Sequence, residues 1–272
     1  MTQRWRPLLA AVLCCLVSGA AAAQTRSGFE IGPEIYYYAY REPNFISQIG
    51  AFAGVDAQYT VKSDSWFLTL NGNGDLGYLD YKSSTSGRLD GIWNYKAELR
   101  ALAGRDLLLP GAGEVYVSPY TGFGYRLLYE PQSGRTTTLG FSAYDRLSQY
   151  FYLPFGVRLD IPAGGWLLRP SVEYDLFLYG LQKSYVSGLA AAPGVVAEDD
   201  ATNRQRSGYG LRGEFLVEAP RMPGIAFGPF VRWWHVGTSR PTTLAATGGA
   251  VIIATEPNNN TLELGATLHW RF

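Results

Sequence analysis

The sequence predicts an all-β fold, a closed antiparallel up-and-down transmembrane β-barrel of ten strands. Three observations lead to this prediction: apolar and polar residues alternate with a period of two, short and long connections alternate along the chain, and aromatic residues are abundant at 14%. Lysine and arginine number 23, and so do aspartate and glutamate. Because the chain carries no basic excess, we expect no nucleic-acid partner.

The first residues are typical of a secretory signal peptide. A basic start is followed by an apolar run from Leu8 to Val17 and by small residues that end at Ala23. We expect cleavage near Ala23, with residues 1–23 as the signal peptide and residues 24–272 as a single barrel domain. Cys14 and Cys15 would leave with the signal peptide, so the mature chain has no disulfide framework.

The alternation is clear in residues 92–103. Apolar side chains fall on one face of the predicted strand and charged side chains on the other: Trp93, Tyr95, Ala97 and Leu99 against Lys96, Glu98 and Arg100. A soluble sandwich would turn the charged face to water. A transmembrane barrel would turn it into the lumen and leave the apolar face to lipid. Alternation alone leaves both folds open.

Connection lengths separate the two folds. We predict strands at 28–40, 46–61, 66–81, 92–103, 115–129, 147–161, 166–181, 207–218, 225–236 and 261–272. One set of connections is then mostly short (62–65, 104–114, 162–165, 219–224), and the other lengthens along the chain (41–45, 82–91, 130–146, 182–206, 237–260). Short turns on one side, long loops on the other and an even strand number are typical of transmembrane barrels.

The last strand carries a more specific pattern. In "TLELGATLHWRF" apolar residues alternate up to a terminal aromatic residue through Leu268, Trp270 and Phe272. This stretch resembles the C-terminal assembly signal of bacterial outer-membrane β-barrel proteins. The resemblance implies an integral protein of the bacterial outer membrane that contacts outer-membrane lipid and lipopolysaccharide. It also implies that the barrel-assembly machinery handles the chain during insertion.

One stretch imitates a cofactor site. Gly72, Gly74 and Gly77 have the spacing of a dinucleotide-binding loop, and Glu98 follows at about the distance of a ribose-binding acid. The residues after Gly77 continue a strand and do not begin a helix, so the required βαβ context is missing. We therefore expect no cofactor, and no cluster of metal ligands is visible in the mature sequence.

Inward positions of the predicted strands carry nearly balanced charge. We expect them to form an ionic network in the lumen: Lys96, Glu98, Arg100, Arg126, Arg158, Arg169, Glu173, Asp175, Arg212, Glu214 and Arg232. Ten strands lie near the size at which side chains fill the interior. The interpretation is a barrel with a charged, side-chain-filled lumen and a structural or surface-exposed role. The alternative is a narrow channel or transporter for a small solute or ion.

A third hypothesis is an enzyme. The strand number is similar to that of the omptins, ten-stranded outer-membrane proteases that use an Asp-His pair and acidic pairs at the extracellular rim. His235 lies near that rim but on the outward face, and His269 lies at the opposite end. A general base needs a partner within hydrogen-bond reach, and neither histidine has an obvious one. A lipid-modifying enzyme is equally unmatched, so we expect no enzymatic activity and no catalytic residue.

Two long loops, 182–206 and 237–260, have no assigned role or partner. The second contains the apolar stretch "GGAVIIA", which could cover the barrel mouth, contact a partner or extend the flanking hairpin above the membrane. We favour the hairpin extension.

Overall fold

The computed structural model describes residues 27–272, so the predicted signal peptide and its cleavage site lie outside the described residues. Ten long strands form the wall, and we number them in chain order: β1 (Gly28–Glu42), β2 (Ile46–Ser63), β3 (Trp66–Ser83), β4 (Gly87–Arg105), β5 (Tyr116–Glu130), β6 (Arg146–Ala163), β7 (Trp166–Ser184), β8 (Gly208–Glu218), β9 (Ile225–Val236) and β10 (Asn259–Arg271).

Short elements occupy the connections between wall strands. The short strands are Leu107–Leu108, Ala190–Ala192, Val195–Val196, Ala201–Gln205, Thr242–Ala246 and Ala250–Ala254, and a 3-10 helix spans Thr247–Gly249. In residues 27–272, no helix has the length and apolar character needed to cross a membrane.

The sheet closes on itself. Each wall strand pairs antiparallel with its neighbours in sequence, and β1 pairs with β10 from Glu30 opposite Arg271 to Arg41 opposite Asn260. Because the first and last wall strands share this ladder, the barrel has no free edge. The predicted ten-stranded, closed, up-and-down barrel is confirmed.

Side chains alternate between the outer surface and the interior along each strand. Outward apolar side chains are largely uncovered, with exposed fractions of 63% for Leu68, 54% for Leu99 and 66% for Val172. A band of this kind around a closed antiparallel sheet is the lipid-facing surface of a transmembrane barrel. We call the end with the long loops 131–145, 185–207 and 237–258 extracellular, and both ends of the described chain lie at the periplasmic end.

Two connections differ from the prediction. The loop expected at 82–91 is the short turn 84–86, because β3 runs to Ser83 and β4 begins at Gly87. The misleading signal was Gly91, which occupies a bulge in β4: its φ is 64°, and its N–H donates to the Asp80 carboxylate at 2.9 Å. In the long loop between β7 and β8, the short strand Ala201–Gln205 pairs with the end of β7 and lengthens the wall outward.

The loop 237–258 continues the β9–β10 hairpin above the wall. Ser239 and Glu256 bond to each other, and Thr242–Ala246 then pairs with Ala250–Ala254. The second hairpin also contacts the neighbouring long loop, where the Glu198 N–H donates to the Ala245 carbonyl at 2.9 Å. This arrangement is the predicted extension of the flanking hairpin above the membrane.

Inward glycines make room for large rings in the bore. The Tyr152 ring lies over Gly124, and the Phe52 ring lies over Gly77, so that a Cβ at either glycine would overlap the ring. By contrast, a Cβ at the outward Gly74 would meet no atom within 4 Å. Gly74 and Gly77 of the cofactor-like stretch therefore belong to a continuous strand, β3.

Candidate functional site

The lumen is the candidate functional site, because strand alternation places the charged residues there. At mid-height a layer of ion pairs crosses the bore, and we call it the central ion-pair layer. Its members are Glu34, Asp75, Lys96, Glu98, Arg100, Arg126, Glu173, Asp175, Arg212, Arg232 and Glu263. With Tyr152, which bonds to Glu98, the layer receives a side chain from every wall strand except β2.

Glu263 of β10 is one centre of this layer. Its carboxylate accepts hydrogen bonds from Lys96 Nζ at 2.9 Å, from Arg126 Nη2 at 2.7 Å and from Arg232 Nη1 at 3.4 Å. The Glu263 side chain is fully buried. One buried carboxylate is thus shared by three cations from β4, β5 and β9, and the neighbouring acid Glu34 bonds to Arg232 at 2.7 Å.

Arg212 of β8 is the second centre. Its Nε donates to Asp175 Oδ2 at 2.7 Å and lies 3.2 Å from Glu173 Oε1. Its two terminal nitrogens reach across the bore to Glu98, with Nη1 at 2.9 Å from Oε2. The Tyr152 hydroxyl donates to the same carboxylate at 2.6 Å. Charge-assisted and two-pronged bonds of this kind fix geometry as well as charge.

An aromatic layer lies above the ion pairs, toward the extracellular end. The Trp234 ring packs edge-on against Tyr152 at 5.0 Å between centroids, and Tyr150 packs against Phe177 at 5.5 Å. Arg126 and Arg212 lie over the Trp234 ring at 5.7 and 5.6 Å. The central cations therefore contact carboxylates and aromatic faces together.

A third cluster lies at the extracellular rim, and sequence reasoning missed it. Arg146 contacts three carboxylates: Glu256 directly, Glu130 at 3.7 Å and Glu42 at 3.8 Å. The predicted strands end before Glu42 and Glu130 and begin after Arg146, so the sequence prediction places all three in loops. Extending the alternation of β1, β5 and β6 would have placed all three inside. Glu256 belongs to a loop and has no periodic signal.

Below the central layer, a chamber of about 130 Å³ opens within the periplasmic half of the bore. Arg158, Arg169 and Glu214 of the predicted network line this chamber and lie outside the central layer. Arg169 lies 3.9 Å from Glu30, and Arg158 lies 3.8 Å from Asp160. Glu214 forms no ion pair within 4.0 Å with any residue of the described chain. The other predicted network residues meet in the central layer.

The two histidines lie apart. His235 faces outward between Tyr209 and Trp233, and its Nδ1 lies 3.0 Å from Asn260 Oδ1. His269 is buried at the periplasmic end, 3.9 Å from Asp56. Neither contacts the rim carboxylates. Within residues 27–272 no cluster of histidine, cysteine and acidic side chains could hold a metal ion.

The predicted assembly signal lies at the barrel seam. Trp270 faces outward on β10, and the Phe272 N–H donates to the Phe29 carbonyl at 2.8 Å. The Phe272 side chain is 76% exposed. The geometry therefore gives Phe272 little packing role in the folded barrel, and its role as a signal stays a prediction.

The fold defines the class of protein: a closed antiparallel barrel with an outward apolar band is the fold of outer-membrane β-barrels. Among solved structures, the chain is similar to the outer membrane protease OmpT from Escherichia coli. The TM-score is 0.62 at 9% identity, over 92% of this chain and 99% of that one.

Two further solved barrels match with lower scores. The transport unit of the autotransporter AIDA-I from Escherichia coli has a TM-score of 0.46 at 7% identity, over 97% of this chain and 96% of that one. The β domain of the Bordetella autotransporter BrkA has a TM-score of 0.45 at 14% identity, over 91% and 100%. No protein-family model matches the chain, and no curated protein matches it significantly in sequence.

Proposed function

We propose that this chain is an integral protein of the bacterial outer membrane whose lumen is sealed by side chains, with a structural or surface-exposed role. The observation that carries the proposal is the central ion-pair layer, in which β4 residues bond across the bore to β8 and β10. A barrel of this size has an interior that side chains fill, while barrels of sixteen strands leave an aqueous channel.

Energetics support a sealed lumen. An unpaired ion in a water-poor interior costs several kcal/mol, so buried charges persist where partners hold them. Glu263 with three cations and Arg212 with three carboxylates satisfy this condition. Opening a conducting path through this layer would separate these pairs. The protein then presents to its surroundings the lipid-facing band and the extracellular loops.

The periplasmic chamber favours a second candidate, a narrow path for a small solute or ion. Its volume of about 130 Å³ has room for several water molecules, and its lining includes acidic side chains such as Glu214 as well as basic ones. Transport would still require passage through the central ion-pair layer. We place this candidate second for that reason.

Proteolysis or lipid modification is the third candidate. OmpT, which shares the fold, is a protease by name. In this chain the extracellular rim holds Arg146 with Glu42, Glu130 and Glu256, while His235 faces outward and His269 lies at the other end. A rim of carboxylates without a lumen-facing histidine beside them does not provide the acid–base pair of general catalysis.

Planar-bilayer recording of the refolded protein tests the proposal. We expect no sustained open-channel current from the wild type. The double variant Glu98→Ala/Arg212→Ala removes the side chains that join β4 to β8 across the bore, together with all three ion pairs of Arg212, and should raise conductance. The matched variant Lys183→Ala/Asp200→Ala removes a partly exposed ion pair of 3.4 Å between the end of β7 and the loop that follows it, and should leave conductance unchanged. Large, sustained wild-type currents would reject the sealed lumen and favour the channel.

A further inference from the structure

Three arginines form an exposed cluster on the outer face of the extracellular rim. Arg204 and Arg206 alternate with inward side chains along and just beyond the strand Ala201–Gln205. Arg240 bonds back to Arg204 through an antiparallel bridge, its N–H donating to the Arg204 carbonyl at 3.1 Å. Partners in such a bridge project to the same side of the sheet. We call Arg204, Arg206 and Arg240 the rim arginines.

The rim arginines lie on the outward side, as their strand partners show. Arg204 is opposite Leu181, and the inward Asn203 is opposite the buried Gln182. Asn203 and Gln205 point the other way and bond to the carbonyls of Arg240, Ala254 and Gly237 in the overlying loop.

Like charges are concentrated here without local compensation. The rim arginines line an open hollow of about 420 Å³ together with Thr202, Pro241 and Thr242, and none of these residues is acidic. Within the described chain no ion pair and no side-chain hydrogen bond engages any of the three guanidinium groups. Lys183, which is opposite Thr202 on the neighbouring strand, pairs with Asp200 at 3.4 Å. Three clustered guanidinium groups repel each other unless an anion lies between them.

The cluster lies above the aromatic part of the lipid-facing band, since Arg204 is opposite Leu181 of β7 and Tyr209 is opposite Leu176 lower on the same strand. Below it, the outward side chains of β7, β8 and β9 change to aromatic and apolar types, with Tyr174 stacked on Tyr209 and Tyr209 edge-on to Trp233 at 5.2 Å. Aromatic girdles of this kind mark the level of the lipid headgroups. A ligand in the hollow would thus have its polar part among the arginines and its apolar part beside Leu176 and Leu211, which are exposed.

We propose that the rim arginines bind the phosphate groups of a phosphorylated lipid headgroup in the outer leaflet. Guanidinium groups form paired, charge-assisted hydrogen bonds with phosphate oxygens, and the hydroxyls of Thr202 and Thr242 can donate further bonds. A lipid is favoured over free phosphate because the exposed apolar side chains of β7 and β8 lie below the rim arginines on the same outer face. The proposal rests on the proposed function, because the membrane location determines the level at which the outer leaflet meets the barrel.

Native mass spectrometry of the detergent-solubilised mature protein can test this site. The probe is bis-phosphorylated lipid A, compared with the same lipid after removal of both phosphates and with inorganic phosphate as a competitor. The test variant is Arg204→Gln/Arg206→Gln/Arg240→Gln. The control variant is Arg41→Gln/Lys82→Gln/Arg88→Gln, which removes three exposed cations at the same end of the barrel. Lys82 and Arg88 belong to the β3–β4 hairpin, which also carries the acidic residues Asp80 and Asp90, so the control cations are not an uncompensated cluster.

We expect the test variant to bind the phosphorylated lipid at least about tenfold more weakly than the wild type, and the control to stay within about twofold. Removing the phosphates should weaken wild-type binding to the level of the test variant. Equal binding by the test variant and the wild type, or by the two lipids, would overturn the site. Displacement of the lipid by inorganic phosphate at equal concentration would overturn the assignment to a lipid.

A heat-dependent mobility shift of the same samples on gels reports separately whether each variant is a folded barrel. Failure of the wild type to give that shift would count against the proposed function, whereas the lipid comparison on folded protein decides the site. All six substitutions lie on exposed side chains outside the central layer, so we expect each variant to fold.

Discussion

Arg126 Nη2 of β5 donates a 2.7 Å hydrogen bond to Glu263 Oε1 of β10, across the interior of the barrel. The two residues are 137 positions apart in sequence. Lys96 and Arg232 approach the same carboxylate from other directions. Neutralising this single acid should therefore affect three cations at once.

We expect Glu263→Gln to destabilise the barrel by about 3–5 kcal/mol, because it leaves buried cations without sufficient compensation. Urea unfolding in detergent micelles, followed by tryptophan fluorescence, measures the change. The control Glu198→Gln removes an exposed loop carboxylate and should have little effect. A Glu263→Gln variant as stable as the control would show that the central layer does not depend on this acid.

The glycine under Tyr152 gives a second prediction. Gly124→Ala places a methyl group where the Tyr152 ring lies, so the ring and its bond to Glu98 must move. We expect a loss of about 1–3 kcal/mol and a changed near-ultraviolet circular dichroism spectrum. Gly74→Ala, on the outward face of β3, meets no atom within 4 Å and serves as the matched control. Equal spectra and stabilities for the two variants would contradict the close packing of this ring.

The rim cluster makes docking of the last long loop sensitive to pH. Burial raises the pKa of Glu256 to about 7, and Glu42 and Glu130 act in the same direction, although Arg146 opposes them. A carboxyl group with a raised pKa binds its proton more tightly in the docked loop than in a released one. Docking is therefore favoured at low pH and weakens as the pH rises through about 7.

Proteinase K cleavage of the loop 237–258 between about pH 6 and pH 8.5 measures this effect. We expect cleavage of the wild type, relative to Glu256→Gln at each pH, to increase as the pH rises. The ratio removes the pH dependence of the protease itself. Tyr40 and Tyr144 also face Glu256, but tyrosines ordinarily titrate well above this range. A ratio that stays constant would mean that Glu256 does not control docking.

The apolar hairpin in this loop should be dispensable for the barrel. Thr242–Ala246 and Ala250–Ala254 pair with each other and contact the neighbouring loop near Val196 and Glu198. Deleting Ala245–Thr255 should therefore keep the heat-dependent mobility shift on gels. Loss of the shift would place this segment in the wall. Deleting an equal length from within β3 provides a control that should abolish the shift.

A substitution of Phe272 can distinguish a role in assembly from a role in packing. Its side chain is 76% exposed, while its backbone N–H bonds to Phe29 whatever the side chain is. We expect Phe272→Ser to reduce the amount of folded barrel in cells several-fold while leaving the urea midpoint of the refolded protein unchanged. Leu211→Ser, at an outward position that is 46% exposed and lies away from the terminus, is the control. Equal amounts in cells for Phe272→Ser and the wild type would remove Phe272 from the signal.

Alternation in the sequence was sufficient to place most charged residues inside, since a strand leaves only two faces for a side chain. Lys96, Glu98 and Arg212 are examples. The partners could not be predicted in this way, because Glu98 meets Arg212 only through the tilt and stagger of strands on opposite walls. Gly91 was a misleading turn signal, because a glycine with positive φ occurs both in turns and in β-bulges. Glu256 is inward because of the path of its loop, which has no sequence period.

The pattern of ion pairs in the central ion-pair layer has a consequence for how the barrel can form. Its strongest contacts join hairpins from opposite halves of the polypeptide, so a partly assembled sheet holds cations and acids that have not yet met. Such intermediates would carry exposed, unmatched ions at the level of the hydrocarbon. Insertion should consequently be nearly all-or-none, with neutrality reached only when the last strand joins the first.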